Sequence, residues 1–311
     1  MSGTVKPIGS PAERRADLRA KVEARRALLV PGAANALTAR IIESQGFEAA
    51  YITGAGVANT QLGVPDIGLV TLTELAATTA AIAEICSLPL IADIDTGYGN
   101  PINAFRTVRV LERAGAAALQ IEDQVFPKKC GHFAGKSLIP EAEMVAKLKA
   151  ALDARDDPNL LIIARTDARA IEGLDRALDR AATYAEAGAD LTFVEAPISV
   201  DELAEIARRL PAPQVANMVV GGRTPLLPQT ELAQLGYAVV LYANAALQAS
   251  IRAMGDVLGT LRREGRLDAV IDRLADFEER QRVVNKEAYD ALEERYATSR
   301  PTRQRRSDDR D

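Results

Sequence analysis

The chain has 311 residues, 48% of them apolar but only 4% aromatic and none tryptophan, so its core must come mainly from Ala, Leu, Ile and Val. Its 38 Lys and Arg against 43 Asp and Glu leave a net charge of −5, which gives no general attraction for nucleic acid or an anionic membrane surface. No stretch approaches the roughly 18 apolar residues of a membrane span, the N-terminus lacks the pattern of a signal peptide, and the two cysteines, Cys86 and Cys130, form neither a disulfide framework nor a zinc pattern.

Short apolar runs alternate with longer Ala-rich amphipathic runs along most of the chain. The runs predict strands over 27–31, 49–53, 88–95, 117–122, 160–165, 191–195, 214–217 and 238–242. Helices are expected between them, over 72–85, 104–114, 141–152, 175–187 and 201–209. The Ala-Gly-Ala triplets at 114–116 and 187–189 each close a helix before a strand. Eight such units predict a TIM-type (β/α)₈ barrel of the α/β class rather than an open doubly wound sheet.

Helical pattern continues past the eighth strand from Ala245 to about Ala297, broken at Asn285-Lys286. Leu267, Val270, Leu274 and Phe277 form an apolar stripe there, readable as a contact for another subunit or as packing on the chain's own barrel. The expected organisation is a disordered tail over 1–12, a single barrel domain with its helical extension over 13–298, and a second disordered tail over 299–311. A soluble cytoplasmic protein is the expectation.

Active sites of parallel barrels lie at the C-terminal ends of the strands, and six of the predicted strands end in polar groups there. Asp93 and Asp95, two apart, share a strand face, and Glu122 on the next strand brings a third carboxylate near them. Crowded carboxylates repel unless a cation lies among them, and an all-oxygen set favours Mg²⁺, with Mn²⁺ as the other option. The alternative is that these acids cap helices or pair with Arg165. The turn Thr53-Gly54-Ala55-Gly56 offers backbone N–H groups to a carboxylate, beside Arg165. Between strands four and five lies a long polar loop, 123–140, holding Lys128, Lys129, Cys130 and His132, the only histidine. Cys86, near a helix end, reads as an inert buried thiol.

Tyr51-Ile-Thr-Gly-Ala-Gly, Asp93-Ile-Asp-Thr-Gly-Tyr-Gly, Ile121-Glu-Asp-Gln, Lys128-Lys-Cys-Gly-His and Ala164-Arg-Thr-Asp-Ala resemble the isocitrate lyase/phosphoenolpyruvate mutase superfamily over about 28–297. The Lys-Lys-Cys-Gly-His segment is specific to its lyase branch. The resemblance implies a homotetramer whose terminal helices swap between subunits. It assigns Asp93, Asp95 and Glu122 to Mg²⁺, with Asp95 the most direct ligand. Thr53, Gly54, Ala55, Asp66, Arg165, Glu195 and Asn217 would bind substrate, and Tyr51, Lys129, Cys130, His132 and Arg165 would serve catalysis, Cys130 as the proton donor.

These parts suit cleavage of the C2–C3 bond of a 2-hydroxy dicarboxylate. Methylisocitrate lyases usually carry an arginine after the eighth strand for a further carboxylate, where this chain has Gln248. Phe126-Pro-Lys-Lys-Cys-Gly-His followed by Gly135-Lys136 also resembles the dimethylmalate lyase and petal-death-protein group. The expected substrate is therefore 2,3-dimethylmalate, giving pyruvate and propionate. The alternatives are methylisocitrate lyase, oxaloacetate decarboxylase or hydrolase, a phosphonomutase, and a non-catalytic binding barrel.

Overall fold

The computed structural model describes residues 8–129, 131 and 135–297, which form two compact units, 8–273 and 274–297. The first unit opens with α1 (Pro11–Glu23), started by a capping box in which Ser10 accepts from the Glu13 N–H and the Glu13 carboxylate accepts from the Ser10 N–H. The helix thus begins inside the stretch expected to be a tail.

The strands are β1 (Leu28–Ala33), β2 (Ala50–Ile52), β3 (Leu90–Asp93), β4 (Ala118–Glu122), β5 (Leu161–Thr166), β6 (Leu191–Val194), β7 (Val215–Asn217) and β8 (Val239–Tyr242). All neighbours pair in parallel, in the order β6-β5-β4-β3-β2-β1-β8-β7. A parallel bridge between Thr192 and Gln214 joins the two ends of that order and closes the barrel. Around it run α2 (Ala36–Ser44), α3 (Gly54–Val57), α4 (Leu72–Ala83), α5 (Pro101–Arg113), α6 (Glu141–Ala154), α7 (Arg169–Glu172), α8 (Leu174–Glu186), α9 (Val200–Arg209) and α10 (Gln229–Leu235), followed by α11 (Ala245–Glu264). All eight strands fall within a few residues of their expected places, because continuous apolar runs are what a doubly covered parallel sheet demands.

Inward-facing Val30, Tyr51, Ile91, Ala118, Ile163, Phe193, Val215 and Leu241 form one buried cluster. Leu18 and Val22 of α1 belong to that same cluster, so α1 plugs the N-terminal end of the barrel. Each fully buried Val, Leu, Ile or Phe among them contributes about 1.5–3 kcal/mol. Polar anchors fix the plug: Arg14 donates to the carbonyls of Ala83 and Cys86 at 3.3 and 3.1 Å, and Arg15 to those of Ala116 and Glu112 at 3.1 and 2.6 Å. Arg15 also meets Asp157 at 3.3 Å. With the floor sealed, an opening to solvent is left at the C-terminal mouth. There β1 runs so close to the chain after β8 that a Cβ on Gly32 would lie 1.8 Å from the Ala243 carbonyl oxygen, so only glycine fits.

The second unit contains α12 (Phe277–Val283) and α13 (Lys286–Tyr296), separated by Asn285 in the left-handed conformation (φ 56°). The expected break at Asn285-Lys286 is there. The predicted apolar stripe divides: Val270 is buried, whereas Phe277 is 69% exposed.

Candidate active site

At the C-terminal mouth a cavity of about 200 Å³ is lined by Tyr51, Thr53, Ala55, Asp66, Asp93, Lys128, Gly131 and Arg165. Phe193, Glu195, Asn217, Val219, Val220, Leu241 and Asn244 also line it, with Gly221, Gly222 and Ala243. Side chains from β2, β3, β5, β6, β7 and β8 therefore converge on one space, as the topology of a parallel barrel requires.

Asp93 ends β3, and the chain turns sharply after it, with Asp95 in the left-handed region (φ 47°) and its N–H donating to Asp93 Oδ1 at 3.1 Å. Thr53 caps α3 by accepting from the Gly56 N–H, which brings the first turn of α3 against these acids. A Cβ on Gly54 would stand 3.3 Å from both Asp93 Oδ2 and Asp95 Oδ1, so the two oxygens face one small-residue cradle. Lys128 Nζ lies 2.8 Å from Asp95 Oδ1 and also bonds Asp66. Burial pushes the Asp95 carboxyl up to about 7, with Asp93 and Asp66 adding to the rise and Lys128 opposing it. Burial by itself would lower Lys128, but Asp95, Glu122 and Asp93 outweigh it and keep the ammonium charged.

Glu122 makes the contact with Arg165 that the sequence left open as an alternative. Its Cα pairs with that of Arg165 across β4 and β5, and its Oε2 lies 3.4 Å from Arg165 Nε. The register thus delivers Glu122 to the guanidinium rather than to a three-carboxylate cage with Asp93 and Asp95. Arg165 is also held by Asp167, Nε to Oδ2 at 3.0 Å and Nη2 to Oδ1 at 3.2 Å, and its guanidinium carbon sits 5.4 Å from the centre of the Phe193 ring. Glu195 Oε2 is 3.8 Å from Arg165 Nε. Burial raises the Glu122 carboxyl well above the usual carboxylate range, against the pull of Arg165. Burial would raise Asp167 too, but Arg165 and Lys136 overcome it and hold Asp167 low. Tyr51 is buried among these charges, and its hydroxyl is pushed far up by burial first and by Asp93 next.

Among the described residues no three Asp, Glu, His or Cys side chains form a cage for a metal by themselves. The donor set nevertheless fits a hydrated hard cation, which takes one or two carboxylates and keeps several waters. Glu122 Oε1 is buried and accepts no hydrogen bond, Asp95 Oδ1 is met by the Lys128 ammonium, and the Asp93 and Asp95 oxygens share the Gly54 cradle.

Cys130 and His132 lie outside the described residues. Gly131 between them lines the cavity, and a Cβ there would stand 2.3 Å from Arg165 Nη2 and 2.7 Å from Glu195 Cγ. Of the two lysines, the resemblance assigns Lys129 to catalysis and gives Lys128 no role. Lys129 is exposed, exchanges backbone hydrogen bonds with the Gln124 amide and donates its ammonium to the Gly135 carbonyl at 2.9 Å, whereas Lys128 faces the cavity. Gln248 is exposed and donates to the Val220 carbonyl at 3.4 Å. Sequence reasoning did not single out Lys128 alone, the fork from Asp167, or the apolar wall of Phe193, Val219, Val220 and Leu241. Alternation at the end of β5 is the signal that pairs Arg165 with Asp167; nothing in the sequence marks Val219 and Val220.

The sequence profile of the phosphoenolpyruvate phosphomutase family matches residues 18–262. The 2,3-dimethylmalate lyase of Eubacterium barkeri is 44% identical over 92% of this chain and 99% of its own, and a 2-methylisocitrate lyase of Aeropyrum pernix is 44% identical over 88% and 92%. Among solved structures, 2,3-dimethylmalate lyase superposes with a TM-score of 0.86 at 33% identity, covering 93% of this chain and 96% of that one. Phosphonopyruvate hydrolase in complex with oxalate and Mg²⁺ superposes at 0.83 and 31% identity, covering 91% and 99%. Fold, strand-end motifs and these similarities agree, and the chain belongs to the phosphoenolpyruvate mutase/isocitrate lyase superfamily.

Proposed function

We propose that the protein is a Mg²⁺-dependent oxo-acid lyase that cleaves the C2–C3 bond of a 2-hydroxy dicarboxylate such as 2,3-dimethylmalate, giving pyruvate and propionate. The observation carrying this reading is the mixed lining of the cavity. Arg165, Asp93 and the Thr53 turn suit a keto-acid end, and Phe193, Val219, Val220 and Leu241 add apolar surface to the same space. Among the described residues, the cations lining the cavity are Lys128 and Arg165, and both are already engaged by carboxylates. A substrate with a further carboxylate would need another cation, whereas an alkyl group suits the apolar surface. Both relatives named as lyases support C–C cleavage.

Asp93 and Asp95 would hold the Mg²⁺, with Mn²⁺ as a substitute. The bound ion would supply positive charge to lower the pKa of the C2 hydroxyl and to offset charge on the 2-oxo product. Arg165, held by Asp167 and stacked on Phe193, binds the C1 carboxylate together with the N–H groups of Gly54 and Ala55 at the start of α3. The C2 hydroxyl proton passes to a carboxylate of the mouth as the C2–C3 bond breaks. The electron pair of that bond becomes the enolate of the departing acid, and the Cys130 thiol donates a proton to its carbon. Lys128 stays charged and steadies the acids around it; Glu195 and Asn217, 3.5 Å apart, border the departing half. In this reading Lys129 supports the loop and His132 steadies charge as it develops.

The lyase branch of the superfamily supports a homotetramer with exchanged C-terminal helices. The exposed Ile251, Met254 and Leu258, which share one face of α11, are suited to such a contact. No helix among the described residues is long and apolar enough to cross a membrane; with reduced thiols, the reading places the enzyme in the cytoplasm.

Pyruvate release from 2,3-dimethylmalate tests the proposal. It should vanish in EDTA and return with Mg²⁺, and Cys130→Ser should lower kcat by about 10²–10⁴-fold, the range for a positioned acid. Full activity in the chelator, or an unchanged Cys130→Ser enzyme, would remove that part of the mechanism.

A further inference from the structure

Lys136 carries none of the strand-end chemistry, yet its side chain is only 2% exposed. A buried ammonium is tolerated only when its hydrogen bonds are met. Its Nζ donates to Asp167 Oδ1 at 2.6 Å and also to the main-chain carbonyl of Gly131. Asp167 holds Arg165 by both oxygens, and its own N–H is fixed by Asp123 Oδ1 at 3.0 Å. A mere counter-ion for Asp167 is already present in Arg165, and it would have no need of a peptide carbonyl. The Gly131 backbone in turn lies so close to Arg165 and Glu195 that no Cβ fits.

We propose that Lys136 is a positioning residue, tying the Gly131 peptide to Asp167 and thereby to the Arg165 guanidinium. The backbone next to Cys130 and the substrate-binding cation are then kept in one fixed relation. Lys136 touches no reacting atom; it acts through Gly131 and Asp167. The proposal rests on the reading above for the roles of Cys130 and Arg165.

Two measurements on the full chain test it. The first is the rate of Cys130 alkylation by iodoacetamide in the ligand-free protein, with buried Cys86 as the internal control for an intact fold. Lys136→Met, or Lys136→Gln should the methionine variant fold poorly, should be alkylated about tenfold faster than wild type, because breaking a buried ion pair favours local opening. The second is chemical rescue. Lys136→Ala should lose kcat by about tenfold or more and regain part of it with propylammonium, which returns the charge without the tether along the chain. Alkylation and kcat within about twofold of wild type in a folded variant would overturn the proposal. A lower melting temperature with no effect of propylammonium on turnover would do the same, since it marks a lysine that only stabilises the fold. Should wild type cleave no 2-hydroxy dicarboxylate, the proposed function falls while the alkylation comparison still decides the role of Lys136.

Discussion

Arg165 and Asp167 stand two residues apart at the end of β5 and meet through two hydrogen bonds, 3.0 Å from Nε and 3.2 Å from Nη2. This fork fixes the plane of the guanidinium while Glu122 and Glu195 lie at 3.4 and 3.8 Å from its Nε. The one cation is thereby shared among three buried carboxylates, and its direction is set before any substrate arrives.

Arg165→Lys keeps the charge but loses the fork, because an ammonium cannot make two parallel bonds to one carboxylate. The substitution should lower kcat/KM by about 10²-fold or more, corresponding to roughly 3 kcal/mol for a disrupted buried pair. Steady-state kinetics on the best substrate checks this, and a change under threefold would deny Arg165 its role.

Cys86 is fully buried, and burial pushes its thiol up to about 11, with Glu43 adding to the rise and the Leu88 N–H opposing it. A thiol raised in this way is almost wholly neutral at pH 8, and only the thiolate reacts. Of the two cysteines in the chain, Cys86 should resist a disulfide reagent until the protein unfolds. Mass mapping of the native, labelled protein provides the check; rapid modification of Cys86 would contradict its buried position.

Asp157 anchors the floor of the barrel against α1. Burial would raise its carboxyl, but the Asn159 N–H at 2.9 Å and Arg15 at 3.3 Å outweigh that and hold it below the usual range. A depressed carboxyl stabilises the fold above its unfolded pKa, near 3.9, and that contribution fades as pH falls through the lower folded value. Asp157→Asn should therefore cost about 1 kcal/mol at pH 7 and progressively less below about pH 4. Urea melts of both proteins across this pH range would show the difference shrinking; a constant difference would mean that charge is not its source.

The barrel was legible because each strand is a continuous apolar run and each helix has its own periodicity, both properties of neighbouring residues. The features that escaped depend on register and on loops. Nothing local in Gln120-Ile121-Glu122 says that the Cα partner of Glu122 is Arg165, a pairing that the sequence offers only as one of two alternatives. Likewise, adjacent Lys128 and Lys129 are equivalent on paper, and only the exchange of hydrogen bonds between Lys129 and Gln124 turns Lys128 toward the acids. The helix α1 has a readable capping box at Ser10 and Glu13, but its buried face includes Arg14 and Arg15, which no hydrophobic pattern would place inside. They are buried because backbone carbonyls at the end of the barrel accept hydrogen bonds from their guanidinium groups.

In the proposed function the cavity takes the C1 carboxylate at Arg165 and, beyond C2, a half that keeps one carboxylate and bears a methyl group, with Phe193, Val219, Val220 and Leu241 supplying apolar surface. The most direct test of this reading is kcat/KM for 2,3-dimethylmalate, methylisocitrate and oxaloacetate, measured side by side at one Mg²⁺ concentration. The cavity predicts that dimethylmalate exceeds methylisocitrate by at least about tenfold, because the third carboxylate of methylisocitrate would be desolvated beside described lining cations that already carry carboxylates. A preference for methylisocitrate or for oxaloacetate would contradict it.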